Sequence, residues 1–130
     1  MKIINTPLQD SYIIEQPKLF DDRGFFIESY NKKAFEDVGL EMDFVQDNHS
    51  QSTVNVLRGL HYQVEKPQGK LVRCVKGWIV DVIVDLRQSS PTFGQHFKVD
   101  LNRPEVMLWV PEGFAHGFYV KSEKCEVSYK

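Results

Sequence analysis

Residues Trp78–Leu86 read WIVDVIVDL, and this stretch decides the fold. Its alternation puts Trp78, Val80, Val82, Val84 and Leu86 on one face and Ile79, Asp81, Ile83 and Asp85 on the other, the two-residue period of a β-strand. Asp81 and Asp85 read as solvent-side acids of that strand. Just upstream, KLVRCV and the Lys76-Gly77 pair suggest a hairpin. Downstream, QHFKVDL, VMLWV, HGFYV and CEVSYK continue the series, with turn signals at SSPTFG, NRPE and PEG. One segment looks helical: Asn31 can cap KKAFEDV, Phe35 and Val38 lie three apart, and Gly39 can take the left-handed C-terminal position. Short strands with turn signals and one short helix predict an all-β chain, a jelly-roll barrel or sandwich. No repeat or linker interrupts 1–130, so a single domain is expected.

Composition narrows the function classes. The chain is 42% hydrophobic and 12% aromatic, enough for one core, and its formal net charge is −2. That balance offers no global attraction for nucleic acid, so any anion site must be local. Cys74 and Cys125 lie far apart without CxxC spacing, which argues against a zinc framework. MKIINTPLQD carries no apolar run of a secretory signal, and no apolar stretch is long enough to cross a membrane. A cytoplasmic protein with reduced thiols is the expectation.

The chemistry concentrates in NVLRGLHYQVEKPQGKLVRC, Asn55 to Cys74. Of the four histidines, His49 and His96 read as ordinary structural residues. GLHYQVE is like the first half of a cupin metal motif, and PEGFAH supplies the Pro111, Gly113 and His116 spacing of its second half. Gln63 stands where the second histidine would be, and an amide is a weak ligand, so a cupin-like jelly roll without a metal is expected. His61, His116 and Glu65 would be the residual donors. A second reading is acid–base chemistry. On a regular strand Asn55, Leu57, His61 and Gln63 share a face, with Arg58 opposite. An unperturbed histidine titrates near ~6.5 and accepts protons around neutrality. Lys70 follows after a short turn, and a base beside a cation suits removal of a proton next to a carbonyl. Tyr129 is a candidate acid for the other side of that carbon, or a core tyrosine with its hydroxyl at the rim. A third reading, a sheet with a polar solvent face, accounts for Lys76, Lys98, Lys121 and Lys124. It accounts less well for His61 and Lys70, which Arg58, Arg73 and Gln46-Asp47-Asn48 crowd.

FDDRGFFIESYN, FVQDNHSQS, VLRGLHYQ, QGKLVRC, DVIVDLRQSSPTFGQ and WVPEGFAHGF, in this order, closely resemble the dTDP-4-dehydrorhamnose 3,5-epimerase family, from about Lys18 to the last residue. The resemblance implies a metal-free and cofactor-free cupin acting on a nucleotide-linked 4-keto-6-deoxyhexose whose C3 and C5 protons are both α to the ketone. It implies His61 as base, Lys70 as enolate stabiliser and Tyr129 as acid. It places Arg58, Gln46, Asn48 and His116 along the sugar–pyrophosphate site, where Arg suits phosphate oxygens. Arg23, Phe26 and Glu28 would reach the site of a neighbouring subunit in a homodimer that exchanges N-terminal strands. For Arg58 and His61 to share one site, Gly59 must permit a bulge.

The family pattern also extends past Lys130, with an aromatic residue stacked on thymine and an aspartate paired with the catalytic histidine. No residue here matches either position by spacing; Asp81 and Asp85 could face the cavity and orient His61, but read first as solvent-side acids, so a weaker base, a looser nucleotide grip and an open sheet edge are expected. Three alternatives remain: a single-carbon epimerase on another nucleotide-linked keto-sugar, a non-catalytic nucleotide-sugar-binding cupin, and, last, a metal-dependent oxygenase.

Overall fold

Short strands that are apolar on one face bury it by stacking sheet on sheet. The computed structural model describes all 130 residues, Met1–Lys130. In chain order the elements are β1 (Lys2–Asn5), β2 (Tyr12–Glu15), β3 (Leu19–Asp21), β4 (Gly24–Phe26), α1 (Lys32–Glu36), β5 (Asn48–Thr53), β6 (Leu57–His61), β7 (Lys70–Lys76), β8 (Ile79–Asp85), β9 (His96–Leu101), β10 (Val106–Val110), β11 (Phe114–Val120) and β12 (Lys124–Tyr129). One sheet runs β1-β2-β10-β7-β12-β5 and the other β6-β11-β8-β9, while β3 and β4 form a separate two-stranded arm. This nearly all-β architecture with one short helix is a cupin-like jelly roll, as the strand pattern implies.

The main core lies between the two sheets. Val72, Cys74, Leu108, Val110, Cys125 and Val127 from one meet Ile79, Ile83, Leu101, Phe114, Phe118 and Val120 from the other. Fully burying an aliphatic side chain of this kind contributes roughly 1.5–3 kcal/mol. Both cysteines are free thiols inside this core, and burial pushes the Cys74 thiol up to about 11. The larger sheet is covered on its outer face as well. There Ile14, Leu71 and Met107 pack against Phe35 of α1, Leu40 and Met42.

Three expectations need correction. The faces of β8 are reversed: Ile79, Asp81, Ile83 and Asp85 are all buried, and Val80, Val82 and Val84 are half-buried on the outside. Both acids point inward because partners receive them there, His116 of β11 for Asp81 and the adjoining Arg87–Thr92 loop for Asp85, which alternation cannot reveal. Lys76-Gly77 does not close a hairpin, since β7 and β8 belong to different sheets. Gly77, at φ 92°, lets the chain cross between them, and a Cβ there would lie 2.4 Å from the Lys124 carbonyl oxygen. Asn55 and Gln63 fall outside β6, in a turn and a loop, so they do not extend the His61 face. The helix forms where the cap signal places it. The Ala34 N–H donates to Asn31 Oδ1 at 3.2 Å and Gly39 takes φ 81°, but only Phe35 of α1 is buried and Val38 is exposed.

The arm projects from this body. Leu19, Phe20, Phe25 and Phe26 are all more than half exposed, with the Lys18 ammonium over the Phe20 and Phe25 rings. No helix is long and apolar enough to cross a membrane.

Candidate active site

One irregularity builds the site. In the β6–β11 ladder His61 pairs with His116 and Arg58 with Phe118, so three steps along β6 match two along β11. The extra residue is the bulge that strict alternation lacked, and it turns Arg58 to the same side as His61. Gly59, at φ 100°, makes this bend with its backbone against Gly117: a Cβ on Gly59 would meet the His116 carbonyl oxygen at 2.6 Å, and one on Gly117 the Arg58 carbonyl oxygen at 2.5 Å. Glycine is required at both because the two backbones nearly touch.

Arg58, His61, His116, Gly117 and Phe118 thus form one wall of a cavity of about 100 Å³, and Ser50, Lys70 and Tyr129 from the other sheet form the opposite wall. Lys70 and Tyr129 also line an adjoining groove of about 180 Å³ with Gln46, Asn48, Gly69 and Glu112. Gly69 lies against the Trp109 ring, where a Cβ would come within 2.5 Å, and this close approach seats the first residue of β7. Arg58 is held by its Nε–H donating to Ser52 Oγ (2.8 Å) and an Nη2–H to the Gln51 carbonyl (3.1 Å). Gln46 donates its amide N–H to Asn48 Oδ1 at 2.9 Å. At the groove's rim Lys130 Nζ donates to both Asp47 oxygens at 2.9 Å.

Asp81 is the residue that sequence reasoning misplaced. It is wholly buried, and His116 Nε2 sits 2.9 and 3.0 Å from its two carboxylate oxygens. Burial pushes the Asp81 carboxyl above its ordinary range, opposed by His116 and by the Lys70 ammonium. Burial in turn lowers Lys70, opposed by the Asp81 charge. The pattern that marks Asp81 is an acid alternating with isoleucines rather than with polar residues. His61 itself is exposed and makes no side-chain hydrogen bond.

The expected site residues therefore divide into two groups. His61, Lys70, Tyr129, Arg58 and His116 share the cavity, and Gln46 and Asn48 share the groove. Arg23, Phe26 and Glu28 stay outside both, on or beside the exposed arm, where Arg23 pairs with Asp21 at 2.6 Å. Gln63 and Glu65 lie in the exposed 62–69 loop, and no three His, Cys, Asp or Glu side chains gather as a metal-ligand set.

A cavity with an imidazole, an ammonium and a phenol on facing walls, beside an arginine, is equipped to move a proton at carbon next to an anionic group. The comparisons with known proteins agree. Residues 5–130 match the family model of dTDP-4-dehydrorhamnose 3,5-epimerase. A Shigella flexneri protein of that name is 58% identical over 134 residues, covering 100% of this chain and 74% of its own length. The crystal structure of a Legionella pneumophila dTDP-6-deoxy-D-glucose-3,5-epimerase in complex with dTDP-4-keto-L-rhamnose is similar with a TM-score of 0.95 and 49% identity, over 99% of this chain and 70% of that one. A Bacillus anthracis dTDP-4-dehydrorhamnose 3,5-epimerase with TDP and PPi bound gives 0.93 and 45%, over 99% and 75%. This chain belongs to the dTDP-4-dehydrorhamnose 3,5-epimerase family.

Proposed function

We propose that the chain is an isomerase that inverts C3 and C5 of dTDP-4-keto-6-deoxyglucose, in the synthesis of dTDP-L-rhamnose for cell-surface polysaccharide. The observation that carries this reading is that His61, Lys70 and Tyr129, from β6, β7 and β12, line one cavity. His61, on one wall, takes the proton at a carbon α to the ketone. The Lys70 ammonium stabilises the charge that collects on the ketone oxygen as the enolate forms. Tyr129, on the facing wall, gives a proton to the other face of that carbon, and the configuration inverts. Arg58 directs its fork to the pyrophosphate, and Gln46 and Asn48 hold the nucleotide side along the groove. Residues 1–130 act as one epimerase domain in the cytoplasm, with no metal and no cofactor.

The functional unit is a homodimer with exchanged N-terminal strands. The exposed phenylalanines of the arm support it, because apolar side chains clustered there gain by being covered. In the dimer Arg23, Phe26 and Glu28 close the partner's site.

A second reading, a cupin that binds the nucleotide sugar without acting on it, is favoured by one observation: no side chain orients the His61 ring. Proton NMR of dTDP-4-keto-6-deoxyglucose with the protein in D₂O separates the readings. Loss of both the C3 and C5 signals is the expected result. Loss of one signal would mean a single-carbon epimerase, and ligand binding with neither lost would leave only the binding protein.

A further inference from the structure

Asp81 is the one fully buried acid beside the cavity, and what its partner His116 can do depends on which ring nitrogen carries the proton. We infer that Asp81 is a positioning residue: it holds His116 as the neutral Nε2–H tautomer, so that Nδ1 faces the sugar as acceptor for a ring hydroxyl at C2 or C3. This rests on the keto-sugar substrate proposed above.

Four observations lead here. An ionised carboxylate can only accept, and both Asp81 oxygens lie within 3.0 Å of Nε2, so Nε2 carries the hydrogen. His116 Nδ1 has no protein partner, and no buried side-chain polar atom in the molecule is unpartnered, so Nδ1 opens onto the cavity that His116 lines. Lys70 lines the same cavity, and its ammonium acts on the Asp81 carboxyl in the direction that favours the ionised form. Finally, Lys70 and Arg58 can only donate, and His61 is engaged with carbon-bound hydrogens. Among the nitrogen-bearing side chains of the cavity, His116 Nδ1 is left to accept from a hydroxyl. Second-site control of this kind is how a carboxylate fixes a histidine's tautomer elsewhere in protein chemistry.

The first test uses the wild-type chain without ligand. ¹⁵N-histidine labelling, with His116 assigned by comparison with His116→Gln, is expected to show the neutral Nε2–H pattern near neutral pH. An Nδ1–H tautomer, with the proton on Asp81, or a doubly protonated ring overturns the inference, whether or not the protein epimerises any sugar. The second test is Asp81→Asn, which keeps the shape but can donate an amide hydrogen to Nε2 and reverse the tautomer. Affinity for the keto-sugar, read by calorimetry, should fall about tenfold, while C5 exchange at saturation changes less than about threefold. With 2-deoxy and 3-deoxy analogues the affinity loss should vanish for one of the two. A loss of equal size for all three ligands, or one confined to the exchange rate, overturns it.

Discussion

Asp81 and Asp85 stand four residues apart on the same face of β8, and both are fully buried, yet they live in opposite surroundings. Asp85 is saturated. It accepts from the Arg87 backbone N–H (3.0 Å), from the Arg87 guanidinium at two atoms (3.0 and 2.9 Å), from Thr92 (2.7 Å) and from Ser90. Arg87 reaches on to Asp10 (2.8 Å) and the Gln9 carbonyl (2.9 Å), so this end of the strand clasps the N-terminal loop to the β8–β9 loop. Asp81 has one partner, His116, which lines the cavity. Burial raises both carboxyls, but at Asp85 the hydrogen bonds from Arg87, Ser90 and Thr92 win and hold it well below the usual range, whereas at Asp81 burial wins. Equal burial thus serves rigidity at one end and leaves the acid at the other tied to a single imidazole. A saturated acid is a structural part, and an unsaturated one beside a cavity belongs to chemistry.

The largest effect that would sharpen the contrast lies at the cavity end. His61→Ala should lower C3 and C5 exchange by about 10²–10⁴-fold. The thermal midpoint should hardly move, because the side chain is exposed and unbonded. Appreciable residual exchange would remove His61 from its assigned role.

At the clasp end the expected loss is in stability. Asp85→Asn should cost about 3 kcal/mol in urea unfolding at neutral pH, since it breaks a buried ion pair. Asp81→Asn should stay within about 1 kcal/mol there, because its carboxylate is already penalised by burial. The pH dependence has opposite signs. The folded Asp85 carboxyl is more acidic than the unfolded one, so its stabilisation is present above about 3.9 and is lost as pH falls. The folded Asp81 carboxyl is less acidic, so its contribution is fully present below about 3.9 and is lost as pH rises. Parallel acid titrations of the two variants would break the comparison if they run together.

Gly117→Ala tests whether the bulge is what aims the wall. Its Cβ would push the Arg58 carbonyl and β6 away, and a displacement of about 1 Å should cost on the order of 10² in exchange rate with the fold retained. The smallest effect belongs to Asn31→Ala, remote from both ends. Losing the cap to the Ala34 N–H should destabilise by about 1 kcal/mol and leave exchange unchanged.

The strand series, the helix cap and the long motifs were legible in the sequence because each depends on near neighbours: period, turn residues, a cap three positions from its partner. So, through motif resemblance, was the grouping of His61, Lys70 and Tyr129, which line one cavity. What could not be read was which face of β8 points inward. Valines against mixed isoleucine and aspartate look like core against solvent until His116, 35 residues on, and the Arg87–Thr92 loop are in place. The bulge was legible only as a requirement, since one glycine in RGLH meets another in AHGF across a ladder that alternation does not describe. The arm's residues, Arg23, Phe26 and Glu28, line neither the cavity nor the groove of this chain.

Cys74 and Cys125 have a practical consequence of their own. They sit on the paired strands β7 and β12, inside the core that joins both sheets, with the Cys74 thiol far from ionised at neutral pH. Only a thiolate reacts quickly with an alkylating reagent, so neither sulfur is reachable until that seam parts. The rate at which a maleimide labels the chain is therefore a clock for opening of the central strands. Ligands that bridge the two walls should slow that clock in proportion to their occupancy.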